Sequence, residues 1–195
     1  MSAPGDVLAG ELDRVQGATL LRVAREAIAA RLRGESARLP EATGALAERR
    51  GAFVTLRRRG DGELRGCVGL MRSDRPLLET VARMAVAAAT EDGRFEPVTA
   101  AELDGLSIEV SALGPLRPTR PEQVEVGRHG LLVSRGARRG VLLPQVPVEH
   151  GWDRETFLAQ TCWKAGLPES AYREPGTEIL SFTAAVFSEG DLPQR

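Results

Sequence analysis

The sequence predicts an α+β fold: a mostly antiparallel sheet with packed helices, in which a larger and a smaller subdomain share a cleft. Three observations carry this prediction. Helical patterns alternate with hairpin patterns, each hairpin contains a glycine-bearing turn, and the order of elements lacks the β-α-β regularity of a parallel sheet. With 195 residues the chain fits one domain, or one domain with two lobes.

The first element is a helix predicted over residues 11–32, after a loose leader at residues 1–9. Its apolar positions keep a helical period at Leu12, Val15, Thr19, Leu20, Val23, Ala27 and Ile28. Gly34 ends this helix, because glycine readily adopts the left-handed conformation found just beyond helix termini. Residues 35–50 are polar, contain proline and indicate a connection.

A hairpin, a helix and a strand follow. Two strand patterns, AFVTLRR at 52–58 and ELRGCVGL at 63–70, flank a Gly-Asp-Gly turn. Pro76 suits the first turn of a helix, with Ser73 or Asp74 available to cap it. The apolar face of this helix consists of Leu77, Leu78, Val81, Met84, Ala85 and Ala88. Alternating residues at 106–112 then predict a half-buried strand.

The second half of the chain repeats this order of elements. After a proline-containing connector, GLLVSRGARRGVLLP at 130–144 predicts another hairpin. A helix is predicted over 153–165, with Gly166 as its C-cap, and EILSFTAAVF at 178–187 predicts a final strand. Hairpin followed by helix thus occurs twice, although the two halves share too little sequence to identify a repeat.

Composition excludes several functional classes. Hydrophobic residues make up 42% and charged residues 27% of the chain, which is typical of a folded globular protein. The net charge of −1 argues against a nucleic-acid-binding surface. No secretory pattern occurs, and no apolar run approaches the roughly 18 residues of a membrane span. We therefore expect a cytoplasmic protein that does not enter the membrane.

Cysteine and histidine are too scarce for several kinds of centre. Cys67 and Cys162 are the two cysteines, which cannot form a disulfide framework or a four-cysteine zinc site. His129 and His150 are the two histidines, which argues against a histidine-based metal centre. No metal site is predicted, and no motif names a cofactor.

The candidate site lies on the strand ELRGCVGL, whose residues alternate between two faces. The core face carries Leu64, Gly66, Val68 and Leu70, and the other face carries Arg65, Cys67 and Gly69. A guanidinium beside a thiol favours the thiolate, so Cys67 is a candidate nucleophile and Arg65 a candidate binding residue. Gly66 and Gly69 lack side chains and would let a ligand or another backbone approach. Alternatively, Cys67 packs as a small hydrophobe while Arg65 pairs with Glu109.

A nucleophile also needs a base, and His129 in the glycine-flanked GRHGL segment is the better candidate of the two histidines. The alternative is a turn histidine that hydrogen-bonds its own loop. Among the acids, Glu109 on the polar strand face and Asp92 in EDGRF could orient a base or bind a cation. Each could equally be a salt-bridge partner or a cap.

Several motifs together resemble a known family. They are ELRGCVGL, the helix at 76–89 with DGRFEPV, IEVSALGP, VGRHGLLV, GVLLPQV, GWDRETFL and CWKAGLP, in that order. Over residues 10–189 the chain resembles the AMMECR domain family, whose prokaryotic members are called AmmeMemoRadiSam system protein A. The hallmark of that family is Leu-Arg-Gly-Cys-Ile/Val-Gly, which residues 64–69 match at every position. Residues 190–195 are assigned to a tail.

The resemblance implies an α+β fold with a larger and a smaller subdomain, but it implies no particular reaction. The family's name records an association with Memo-like proteins and radical S-adenosylmethionine enzymes, which implies partners of these two kinds. At Gly93 in EDGRF the sequence departs from the proline of many relatives. We expect that glycine to loosen the turn without touching the candidate site.

Two functions remain open. The chain could be a thiol-dependent enzyme, in which Cys67 attacks, Arg65 holds the thiolate or an anionic substrate group, and His129 exchanges the proton. It could instead be a non-catalytic module that binds a small ligand or a partner protein in a cleft near the LRGCVG strand. The lack of a complete catalytic signature favours the module.

Overall fold

The computed structural model describes residues 12–191, so the expected leader and residues 192–195 of the expected tail lie outside the described residues. The helices are α1 (Arg14–Leu32), α2 (Leu77–Thr90), α3 (Gln145–Glu149) and α4 (Arg154–Lys164). The strands are β1 (Ala52–Arg58), β2 (Leu64–Leu70), β3 (Leu106–Leu113), β4 (Arg117–Pro118), β5 (Gly130–Arg135), β6 (Arg138–Leu142), β7 (Glu178–Phe182) and β8 (Ala184–Ser188). The predicted α+β class is confirmed.

The first of two units contains described residues 12–113 and 185–191. Its sheet has the order β2-β1-β3-β8, and β1 is antiparallel to both β2 and β3. Helices α1 and α2 pack their apolar faces against this sheet. The shared core contains Leu20 of α1, Leu78 of α2, Val54 of β1 and Ile108 of β3. Helix α1 begins with a capping box, in which the Asp13 side chain accepts the Gln16 amide and the Gln16 side chain accepts the Asp13 amide.

The second unit spans residues 114–184, with a sheet of order β4-β7-β5-β6. Helix α4 packs Phe157, Leu158 and Cys162 against Leu131 and Val133. Cys162 is fully buried in this cluster, so it packs as a small apolar side chain. Each unit therefore closes its own core with its own antiparallel sheet.

The same ββαβ arrangement occurs in both units. Hairpin β1-β2 is followed by α2 and by β3, which pairs antiparallel with β1; hairpin β5-β6 is followed by α4 and by β7, which pairs antiparallel with β5. In each unit a glycine of the second hairpin strand faces the end of the helix. A Cβ at Gly66 would collide with the Ala88 carbonyl, and one at Gly140 would collide with the backbone of Thr161 and Ala165.

The final strand predicted at 178–187 is two strands in two different sheets. β7 belongs to the second sheet and β8 to the first, and Thr183 separates them. The Thr183 carbonyl accepts the Gly114 amide at 2.7 Å, outside both ladders. The apolar pattern runs through this change of sheet without a break, so alternation alone could not locate it.

Two local expectations at helix ends are wrong. Val15 was placed on the apolar face of α1, but it is 75% exposed in the first turn. Neither Ser73 nor Asp74 caps α2, since Pro76 itself is the N-cap residue and the Ser73 hydroxyl accepts the Arg75 amide instead. The short helix α3 was not predicted. Within residues 12–191 no helix combines the length and the hydropathy needed to cross a bilayer.

Candidate functional site

Cys67 lies on β2, the edge strand of the first sheet, with its side chain on the face opposite the helices. Val68 and Leu70 pack against the core on the other face, as alternation predicts. In the strand register Cys67 lies opposite Thr55, and Thr55 lies opposite Glu109. The Thr55 hydroxyl donates a hydrogen bond to Cys67 Sγ at 3.3 Å. A row of Cys67, Thr55 and Glu109 therefore crosses three strands, with Thr55 buried and the other two residues half-buried.

The backbone of Cys67 is held by the turn that follows α2. Asp92 Oδ2 accepts the Cys67 amide at 2.8 Å, and Arg94 Nη2 donates to the Cys67 carbonyl at 3.3 Å. Arg94 also binds Asp92 through Nε at 2.9 Å and Nη2 at 2.7 Å. We call this group of Cys67, Asp92 and Arg94 the edge clamp. It occupies the open hydrogen-bonding edge of β2, where a further strand would otherwise pair.

The electrostatics of the edge clamp favour a permanently charged Asp92. Its side chain is only 7% exposed. Hydrogen bonds from the Arg94 guanidinium, aided by the Cys67 and Arg94 amides, hold the pKa of Asp92 far below its usual range, although burial opposes this. The same pairing raises the pKa of Arg94. Asp92 is thus a structural carboxylate, which is one of the roles predicted for it.

Asp92→Asn is expected to lower stability in a pH-dependent way. The pKa of Asp92 is lower in the folded state than the value of about 3.9 in the unfolded chain, so its contribution is complete above that value and is lost as the pH falls through the folded-state pKa. We expect a loss of roughly 1–2 kcal/mol at pH 7 that shrinks below about pH 4. Urea unfolding from pH 7 to pH 3 measures it.

Asp74→Asn is the matched control for this prediction, because Asp74 is an exposed aspartate for which the structure records no hydrogen bond or ion pair. We expect it to leave stability unchanged at both pH values. A difference between wild type and Asp92→Asn that stays constant down to pH 3 would contradict the proposed charge of the edge clamp.

Arg65 has a partner other than the one considered from sequence. Its Nε binds Glu102 Oε1 at 3.0 Å, so the expected alternative of a pair with Glu109 is wrong. Hydrogen bonds from the Thr99 amide and from Arg65 lower the pKa of Glu102, which keeps this pair charged. The guanidinium also lies 5.9 Å from the centroid of the Phe95 ring. Sequence could not find this partner, because Glu102 is distant in the chain and lies off the strand.

Both candidate binding glycines face close neighbours. Gly66 lies against the Ala88 carbonyl of α2, which is the approach of another backbone that was expected. Gly69 lies beneath the Phe53 ring on the same face as Cys67. Packing therefore explains the absence of a side chain at both positions without a ligand.

The turn that contains Gly93 forms part of the candidate site. The residues on either side of Gly93 both bind Cys67. Gly93 itself has open space around it, since no atom lies within 4 Å of where a Cβ would stand. Sequence analysis missed the contribution of Arg94 and Thr55, and the available signal was the short Asp-Gly-Arg spacing in EDGRF.

The candidate base His129 lies in the second unit. Its Nδ1 accepts the Glu125 amide at 3.1 Å, so it hydrogen-bonds its own loop, as its alternative interpretation expected. His150 stacks on Trp152 with ring centroids 4.7 Å apart. The pairing of His129 with Cys67 stays a prediction. Across residues 12–191, no three His, Cys, Asp or Glu side chains form a group that could hold a metal ion.

Comparisons with known proteins are consistent with one another. The AMMECR1 family model matches residues 21–187. A protein of Thermococcus gammatolerans is 48% identical over 89% of this chain and 90% of its own length. A protein of Methanothermobacter thermautotrophicus is 44% identical over 91% and 96%. The crystal structure of "Uncharacterized Protein PH0010" from Pyrococcus horikoshii, 43% identical, superposes with a TM-score of 0.82 over 89% of this chain and 91% of that one.

Proposed function

The chain belongs to the AMMECR1 family, and on this premise we propose that it is a binding module that presents the Cys67 strand to a small ligand or a partner protein. The observation that carries the proposal is the edge clamp. Asp92 and Arg94 hold both backbone polar groups of Cys67, and Thr55 holds its sulfur. A surface whose conformation is fixed in advance loses less entropy on binding.

The charged groups around Cys67 support binding rather than proton transfer. A general base works best when its pKa lies near the operating pH, whereas the pKa of Asp92 is far too low. The guanidinium of Arg65 is engaged by Glu102 and that of Arg94 by Asp92.

The partners proposed first are Memo-like and radical S-adenosylmethionine proteins. Each purified protein would be titrated into this chain by calorimetry, using wild type, Cys67→Ser and Cys67→Trp. Cys67→Trp should weaken binding at least tenfold by obstructing the surface, while Cys67→Ser should bind almost normally. Circular dichroism would establish that the tryptophan variant is folded.

Arg22→Ala is the control, because Arg22 lies exposed on α1 and pairs with Glu26 on the same helix. It should bind like wild type. Binding that Cys67→Trp leaves unchanged, or no binding of either protein to wild type, would count against the proposed surface.

A thiol-dependent enzyme is the second candidate. The Thr55 hydroxyl that donates to Cys67 Sγ favours it, because this hydrogen bond fixes the position of the sulfur, as a nucleophile requires. This candidate requires Cys67 to react with iodoacetamide near pH 7 faster than a reference peptide thiol, whereas the binding module requires no acceleration. Burial raises the pKa of Cys162, which should stay unreacted in the folded chain, and Cys67→Ser provides the blank.

A further inference from the structure

A groove in the first unit lies away from the Cys67 strand. It has a volume of about 620 Å³ and is formed by the C-terminal half of α1, by α2 and by the segment at residues 35–42. Volumes of roughly 300–1,000 Å³ are usual for small-molecule sites. None of the residues that line it belongs to the edge clamp or to the row of Cys67, Thr55 and Glu109.

The floor of the groove is apolar because of helical spacing. Leu78, Ala82 and Val86 follow one another at intervals of four residues along α2, so they form one stripe. Ala27 of α1 lies beside this stripe. Leu39 lies in the segment at residues 35–42, which forms the third wall, and is 36% exposed. The small side chains of Ala27 and Ala82 leave the space between the helices that larger residues would fill.

The groove is lined by three arginines and three glutamates, and three of these six groups are engaged in ion pairs. Arg75 pairs with Glu79 at 3.5 Å, and Glu35 pairs with Arg33 at 2.9 Å. Three lining groups make no ion pair in the part of the chain that the structure describes. They are Arg31 on α1, Arg83 on α2 and Glu41 in the third wall. Two unpaired guanidinium groups thus face one unpaired carboxylate.

We propose that this groove binds a small amphiphilic anion. The apolar body of the ligand lies against Val86, the half-buried end of the stripe, and against Leu39, and its carboxylate, sulfonate or phosphate group is bound by Arg31 and Arg83. Guanidinium groups suit such anions, because their planar fork donates two parallel hydrogen bonds to two oxygens. Glu41 opposes the anion, so its removal should strengthen binding. The site is separate from the proposed Cys67 surface and does not depend on it.

The probe is 8-anilinonaphthalene-1-sulfonate, an aromatic anion that fluoresces when it leaves water, and N-phenyl-1-naphthylamine is its uncharged counterpart. Both would be titrated into the full chain. Arg31→Gln and Arg83→Gln should each weaken binding of the anion by roughly 3- to 10-fold, and Glu41→Gln should strengthen it by roughly 2- to 5-fold. The uncharged probe should bind all three variants like wild type.

Two further variants keep the result interpretable. Ala82→Leu fills the floor and should weaken both probes, whereas Arg22→Gln, outside the groove on α1, should affect neither. The three charge variants alter exposed or half-exposed positions, so they should fold normally. Failure of wild type to bind the anion, an anion affinity indifferent to both arginines, or equal losses of the two probes in the arginine variants would overturn the proposal.

Discussion

Gly66→Ala is expected to destabilise the protein by about 2–4 kcal/mol. The new methyl group would collide with the backbone carbonyl of Ala88, and it would also contact Leu56 beneath the sheet. Backbone in the last turn of a packed helix cannot move away as a flexible side chain could. Either β2 or α2 must therefore shift, which loosens the core of the first unit.

Urea unfolding at pH 7 measures this loss, and Gly93→Ala is the matched control. Gly93 lacks a positive φ, and a Cβ there meets no atom within 4 Å. Alanine restricts the unfolded chain at Gly93, so we expect a gain of roughly 0.4–1 kcal/mol. If Gly66→Ala were as stable as wild type, Gly66 would not be required for strand–helix packing, and its candidate role in ligand binding would become the better explanation.

Glu189→Ala is expected to cost roughly 2–3 kcal/mol. The Glu189 side chain is 12% exposed and accepts Nε and Nη2 of Arg25, both at 2.6 Å. It also accepts Arg59 at 3.1 Å and the amide of Ile108 at 3.0 Å. These bonds connect the segment after β8 to α1 and β3. Removing the carboxylate leaves the Arg25 guanidinium, with its side chain only 27% exposed, without its ion-pair partner.

The matched control is Glu26→Ala, one position along α1 from Arg25. Glu26 forms an exposed pair with Arg22, so its removal should cost no more than about 0.5 kcal/mol. Thermal and urea unfolding of both variants would give the comparison. Equal losses would show that the interactions of Glu189 contribute no more than a surface ion pair.

Comparison of the two ββαβ units separates what the fold requires from what is particular to the first unit. Gly66 and Gly140 hold equivalent positions, since each is followed by a residue on the outer face of its sheet. In the first unit that outer row is Cys67, Thr55 and Glu109. In the second unit the corresponding row is Val141, Leu132 and Leu180. Since the same arrangement forms with an apolar row, packing alone does not demand the polar row at Cys67.

Local pattern was sufficient for most elements. Both hairpins, the strand β3 and three of the four described helices lie where periodicity predicts them, because each buries one regular face. Periodicity did not locate the boundary at Thr183, because the apolar pattern continues while the chain passes from the sheet of β7 to the sheet of β8. It also failed at Val15, because the first turn of α1 extends beyond the core that the helix covers.

For the candidate site, sequence singled out Cys67, its strand and the face that it shares with Arg65. It assigned Arg65 the wrong alternative partner and did not connect the turn at Gly93 with the backbone of Cys67. The true contacts of Arg65 with Glu102, and of Cys67 with Asp92, join residues 37 and 25 positions apart. No local period relates residues at such separations.

The sequence by itself therefore determined the α+β class, most of the elements and the family resemblance, since these depend on periodic burial and on contiguous motifs. Tertiary structure decided the rest: the division into two sheets, the close approach of Gly66 to Ala88, and the edge clamp that holds Cys67. The physical reason is that helix and strand periods arise from neighbours along the chain, whereas hydrogen bonds and close packing between elements depend on how those elements assemble.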